Sequence, residues 1–324
     1  MLLCVPPFPI TMPVSAPADT VEIQEWLVPW ADTRPRDPYV GPNGLVWFVG
    51  QKADYVASFD PKTEAFWQYP LPAGAGPHNV VAAPDGTIWY TGNRQANIAR
   101  LDPTTGAITT VPMPDSRARD PHTLVFDPEG TGWFTVQHGN MVGRFEPETQ
   151  DVTLVDVPVP NARPYGIVID GQRRPWIATF GTNAITTIDP ASLQLRMLEL
   201  PDQRARPRRL AVTSDDVVWY VDYARGFLAR LDPTTGAVRE WAAPGRAASL
   251  PYAMTVDDAD RLWFVETGPR PNRLVGFDSR TEQFFSVTAI PSGGGSVRHM
   301  VFHAPTRTIW FGTDANTIGR ARVP

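Results

Sequence analysis

The 324-residue sequence predicts an all-β fold, a seven-bladed β-propeller with four antiparallel strands per blade. Three observations lead there. Tryptophans recur at Trp47, Trp89, Trp133, Trp176, Trp219, Trp263 and Trp310, spaced 42, 44, 43, 43, 44 and 47 residues apart. Each interval holds four short apolar or alternating runs separated by turn residues, and a period in the low forties with four strands marks a propeller blade. No window carries helical periodicity, and no apolar run approaches the roughly 18 residues of a membrane span. Length alone suggests two domains, but the repeat merges residues 21–324 into one ring.

The unit reads clearly from Pro121 to Val155. Its strands are Thr123-Leu124-Val125-Phe126, Gly132-Trp133-Phe134-Thr135, Met141 to Phe145, and Val152 to Val155. Pro128-Glu129-Gly130 turns the first hairpin, with Gly free to take positive φ, and Glu146-Pro147-Glu148-Thr149 turns the last. The pairs Trp47-Phe48, Trp89-Tyr90, Trp219-Tyr220, Trp263-Phe264 and Trp310-Phe311 are expected to wedge neighbouring blades apart as packed core.

Taken in order, residues 1–20 are apolar and proline-rich without a basic residue, and contain the lone cysteine, Cys4. They are expected to be a disordered tail or the remnant of an export signal. This inclines the chain toward an exported or periplasmic location, with a cytoplasmic one open. Val21 to Pro29 matches the fourth strand of other units yet precedes any first strand, while the sequence ends after a third strand, Ile318 to Arg322. The early segment is therefore expected to complete the seventh blade and close the ring. Blade 1 offers a shortened first strand, Tyr39-Val40-Gly41. Blade 6 carries a longer loop, Gly268-Pro269-Arg270-Pro271, and blade 7 an extra turn residue around His303-Ala304-Pro305.

A net charge of −5 without a basic run argues against a nucleic-acid partner, and no membrane partner is expected. A single cysteine rules out disulfides within the chain and thiolate metal sites. A small molecule at the channel mouth is the expected ligand. After the Pro that opens the innermost strand stand His78, His122, Tyr165, Arg208 and Tyr252, with Arg36 or Tyr39 in blade 1. In blade 7 the position falls on Arg298 by the apolar run or on His299 by tryptophan spacing. The first choice is favoured, with His299 beside it. These residues form a polar ring at one mouth. A second ring follows the tryptophan strand and includes Gln137, Tyr223, Asp222, Glu266 and Asp314. Its acids, in three consecutive blades, suit Mg²⁺ or Ca²⁺ and equally suit pairing with Arg225, Arg208 or Arg298.

The repeated Pro-His or Pro-Tyr, Pro-Asp-Gly, Trp-Phe, Asn-x-Ile-Gly-Arg and Asp-Pro-x-Thr-Gly elements resemble the streptogramin B (virginiamycin B) lyase family from Val21 to Arg322. The resemblance implies a monomeric seven-bladed propeller that opens ester rings by Mg²⁺-dependent elimination, a histidine removing the proton α to the carbonyl. The family's acid in the last such loop falls on Asp314, and its histidine opening blade 6 falls on Tyr252. Its acid-Pro-His in blade 7 reads Val297-Arg298-His299 here. The expected activity is elimination on an ester- or lactone-type molecule, with the streptogramin itself disfavoured because the acid of the blade 7 motif is missing and its blade 6 histidine is Tyr252. His299 is then the base, Asp222, Glu266 and Asp314 the cation ligands, and Arg208 or Arg298 the anion binder. His78, His122, Tyr165, Tyr252, Gln137 and Tyr223 line the pocket. The alternatives are a non-catalytic propeller binding a peptide or small ligand, and a Ca²⁺ lactone hydrolase of the gluconolactonase kind, which the seven marks disfavour.

Overall fold

The computed structural model describes residues 19–83 and 85–324; Pro84 and most of the expected tail, Cys4 included, lie outside the described residues. Asp19, the first described residue, bridges to Ser286, and its N–H donates to the Phe285 carbonyl at 2.9 Å.

Among the described residues twenty-eight strands, numbered β1 to β28 in chain order, form seven four-stranded antiparallel sheets. The innermost strands are β2 (Pro35–Val40), β6 (Pro77–Ala82), β10 (Pro121–Phe126), β14 (Pro164–Ile169), β18 (Pro207–Val212), β22 (Pro251–Val256) and β26 (Val297–His303). Neighbours in that series touch around the ring, β2 meeting both β6 and β26. Blade 1 is therefore not shortened. β2 starts at Pro35, and its register jumps between Arg36 and Tyr39 where Asp37 adopts φ 46° ahead of Pro38. That break hid the strand from a pattern-based reading. The extra residue in blade 7 is absorbed by a 3₁₀ turn, Ala304–Thr306, closed by Arg307 in the left-handed region.

Both faces of each sheet are covered, so the second strand of a blade can be apolar at every position. The tryptophans and the aromatics beside them point to opposite faces. Trp47 packs with Val80, Ile88 and Tyr90 of blade 2, while Phe48 packs with Trp310 and Ile318 of blade 7. Trp89 meets Phe134 of blade 3, and Trp176 meets Tyr220 of blade 5. All seven marker tryptophans are buried. Each brings on the order of 150–250 Å² of surface out of water, which at about 25 cal/mol per Å² is a transfer term of roughly 4–6 kcal/mol.

The ring closes between distant parts of the chain. β1 (Ile23–Leu27) pairs with β28 (Thr317–Arg322), Ile23 opposite Ala321 and Leu27 opposite Thr317. Trp26 stacks on Trp310 at 5.7 Å and lies 4.9 Å from Phe59, tying blade 7 to blade 1. The Asn316 side chain donates to the Val28 and Trp30 carbonyls and accepts from the Thr33 N–H and hydroxyl. It thus fixes the path from β1 into β2.

Two outcomes follow. Trp310→Ala should lower unfolding free energy by roughly 3–5 kcal/mol in urea titration, the usual cost of deleting a buried aromatic. Removing the chain through Leu27 should leave β28 as a bare edge and give larger species in size-exclusion chromatography; a monomeric truncated ring with unchanged melting would contradict the closure.

Candidate active site at the channel mouth

Six innermost strands open with Pro and the seventh with Val297, which pairs with Thr313 just as Pro251 pairs with Glu266 and Pro77 with Gly92. In every blade the register then jumps within the next few residues. At such a bulge more residues stand on one strand than on its partner, which re-aims side chains. The outer layer is Arg36, His78, His122, Tyr165, Arg208, Tyr252 and Arg298. The inner layer behind it is Asp37, Asn79, Thr123, Gly166, Arg209, Ala253 and His299. Arg298 therefore takes the ring position, as favoured from the apolar run, and His299 sits one layer deeper.

The outer layer packs into a continuous cluster. The His78 and His122 rings lie 3.5 Å apart, and His122 lies 4.2 Å from Tyr165. The Tyr165 and Tyr252 hydroxyls bond each other. Arg208 is held among four rings, its guanidinium carbon 3.6 Å from the Tyr252 centroid, 4.2 Å from Tyr223, 4.7 Å from Phe180 and 5.3 Å from Tyr165. It enters no ion pair among the described residues, and its Nε is buried without a partner. Cation–π contact supports such a charge, yet the cation keeps its capacity for an anion. Phe180 escaped the sequence reading because an aromatic in a loop carries no periodic signal.

The inner layer is a charge network across the axis. Arg36 Nε donates to Asp37 Oδ1 at 2.9 Å, and its Nη1 reaches Gln51 at 3.0 Å. From blade 5, Arg209 crosses the space left by Gly166 and Ala253. It donates to the Arg298 carbonyl at 3.2 Å, to Thr123 Oγ1 at 3.2 Å and to Asp37 Oδ2 at 3.4 Å. A β-carbon on Gly166 would meet the Arg208 carbonyl at 2.7 Å, so the approach of the two strands requires glycine there. Burial raises the Asp37 carboxyl, but Arg36 and Arg209 outweigh it and hold it below the ordinary carboxylate range. The Thr123 hydroxyl accepts from Arg209 and lies 2.9 Å from His122 Nδ1. A hydroxyl both donates and accepts, so Thr123 links Arg209 of blade 5 to the His122 ring.

Neither Asp37 nor Arg209 was singled out from sequence. Pro35 stands twelve residues before Trp47, as Pro77 does before Trp89, and that spacing alone places Arg36 and Asp37 in the ring. Of the two blade 1 candidates, Tyr39 instead lies farther along β2 and lines the opposite end of the channel.

The three acids expected to hold a cation are dispersed and spoken for. Asp222 accepts from the Arg206, Ala224 and Arg225 N–H groups and from Arg225 Nε at 2.6 Å. Glu266 takes the Gly245 N–H at 2.5 Å and Arg273 Nε at 2.7 Å. Asp314 is gripped by both Arg298 amino groups, the Nη2 contact being 2.7 Å. Among the described residues no group of three or more His, Cys, Asp or Glu is placed to hold a metal. The donor set therefore does not fit Mg²⁺ or Ca²⁺, because guanidinium and backbone N–H groups already occupy the lone pairs a cation would need. Gln137 is half-buried in the loop before β12 (Met141–Glu146). Tyr223 joins Arg208, whereas Glu266 is held by the Gly245 N–H and Arg273.

Burial depresses the imidazoles, helped by Arg36 and Arg209: His78 and His122 fall well below the ordinary histidine value and His299 to about 4. Burial lowers the half-buried His303 as well. The unfolded chain then takes up protons first as pH drops below about 6.5, so stability is full above that value and lost toward about 4. The urea midpoint should be lower at pH 5.0 than at pH 7.5, and His299→Gln should reduce that difference. Millimolar Mg²⁺ or Ca²⁺ should leave the melting temperature unmoved, whereas a bound ion would raise it.

A family model described as the virginiamycin B lyase family matches residues 21–321. Among solved structures, virginiamycin B lyase from Staphylococcus aureus superposes with a TM-score of 0.84 at 24% identity, covering 94% of this chain and 99% of that one. A streptogramin B lyase gives 0.84 at 21% identity, covering 94% and 98%. Hydrazine synthase of Kuenenia stuttgartiensis, at 13% identity, gives 0.74 over 91% and 97%. No curated protein sequence matches significantly. With the family model spanning nearly the whole ring that the coordinates draw, the chain belongs to the virginiamycin B lyase family.

Proposed function

We propose that this propeller is a lyase that opens an ester- or lactone-type small molecule by proton abstraction and elimination at the mouth ringed by Arg208, Tyr165 and His122. The observation that carries the reading is Arg208, a cation without an acidic partner, caged by Tyr252, Tyr223, Phe180 and Tyr165. A fixed guanidinium in a water-poor site stabilises charge developing on a carbonyl oxygen. His122, whose Nδ1 is engaged by Thr123, stands at the same cluster.

His299, the base expected from the resemblance, lies in the inner layer, so the base in this reading is Tyr165. Burial raises both phenols, and Tyr252 stays raised. For Tyr165 the guanidiniums of Arg208, Arg209 and Arg36 outweigh burial, and the bond to Tyr252 adds to them, so its shift is downward. Tyr165 is then the partner that releases its proton first and accepts from Tyr252. In the reaction the Tyr165 oxygen takes the proton from the carbon α to the carbonyl. The electron pair left behind forms a carbon–carbon double bond, the β carbon–oxygen bond breaks, and the leaving carboxylate departs. Arg208 carries the negative charge of the enolate between the two events. No step is routed through a metal.

The test is a panel of β-acyloxy esters and macrocyclic lactones followed by absorbance of the new conjugated double bond and by mass. Elimination leaves the summed mass unchanged, while hydrolysis adds water. Arg208→Ala should lower kcat/KM by about 10²–10³, the loss typical of one oxyanion donor. Tyr165→Phe should abolish turnover and with it a rise in rate with pH centred below the ordinary tyrosine value of about 10. Water incorporation, or binding of the panel without turnover, would overturn the assignment.

A further inference from the structure

We infer that the other end of the channel is a second binding site, built for an aliphatic monocarboxylate whose chain lies along the inner strands and whose head meets Arg209 and His299. Two cavities join there. The outer one, about 580 Å³, opens among the turns that follow the innermost strands, and the inner one, about 280 Å³, lies within the ring; Tyr39 and Ile169 line both. Together they have the scale of ordinary small-molecule pockets.

The walls and the end differ in character. Val81, Val125, Val168, Val212, Val256 and Val301 make the wall of the inner cavity largely apolar, with Thr255 the polar side chain among them. Its polar end is Arg209 with His299, whose Nδ1 is buried without a partner. Asn79, also there, has its oxygen committed to the Leu124 N–H at 2.9 Å. The charge beside that end is unbalanced, since Arg36 and Arg209 face the single carboxylate Asp37. The Arg209–Asp37 contact, at 3.4 Å, is the loosest that Arg209 makes. A carboxylate head satisfies both deficits at once, offering one oxygen to Arg209 and the other to a His299 ring N–H. The acids at the outer opening do not repel it: Asp127 is paired with Arg173 at 3.0 Å and Asp170 with Arg174 at 2.8 Å. An apolar chain with an anionic end is the chemistry that fits apolar walls closed by a guanidinium.

Octanoate, octan-1-ol and octylammonium, used below their micelle concentrations, separate chain from charge. Calorimetric titration of the full chain should show octanoate binding at one site, the alcohol about tenfold weaker, corresponding to one charge-assisted hydrogen bond, and the ammonium not at all. Thr255→Trp, which fills the inner cavity from a half-buried wall position, should remove octanoate binding, as should His299→Phe to the extent of about tenfold. Arg208→Ala, at the opposite mouth, should leave the octanoate Kd unchanged. Equal affinity for acid and alcohol, no binding, or loss on Arg208→Ala with retention in a folded Thr255→Trp would each overturn the inference. A failed elimination assay would not touch it.

Discussion

Every blade hides both faces of its sheet, and that condition decides where chemistry can stand. With Trp89 turned toward blade 3 and Trp47 toward blade 2, strand after strand is filled by apolar side chains that meet no water. Within the sheets the buried polar side chains include short hydroxyls such as Ser58, Thr186 and Ser286, and the network of buried charges stands at the axis. At the axis seven Pro- or Val-led strands converge, and the bulge in each places more than one side chain in the channel. Buried polar groups at such a site are under pressure to satisfy one another, and here the longest reach runs across the ring, while Arg208 Nε and His299 Nδ1 are left without partners. Arg209 of blade 5 ties blades 1, 3 and 7.

The scaffold was legible because its signals are periodic. The tryptophan spacing gave the blade count, and the placement of Val21 to Pro29 before any first strand gave the closure with β28. Much of the outer polar layer follows a strand-opening Pro and could be placed by it, while blades 1 and 7 each left two candidates. The inner layer could not be placed so. Asp37 hides between Arg36 and Pro38 in a left-handed conformation, and Arg209 follows another arginine that already answered the pattern. The loop acids Asp222, Glu266 and Asp314 were legible only as a choice between a cation and arginine partners; Arg225 and Arg298 stood among those partners, while Arg273 did not.

Those arginines change the character of the mouth. Carboxylates gathered about an open position make a cation site; carboxylates each wrapped by a guanidinium make a rigid rim. The positive charge left over belongs to Arg208 and to the Arg36–Arg209 pair, with one carboxylate between them. The same three cations, Arg208, Arg209 and Arg36, lower the proton affinity of Tyr165 and of His122.

The pairing of Ile23 with Ala321 spans almost 300 residues of chain. During synthesis the strand made first waits through six complete blades before its partner exists. Until then the growing product is an open arc, and its leading segment is a sticky ribbon that only shielding inside the cell, or rapid completion, keeps from pairing elsewhere. Rejoining the ring at a different break, so that β1 follows β28 directly through a short connector, would spare it that interval without altering a single contact at the axis.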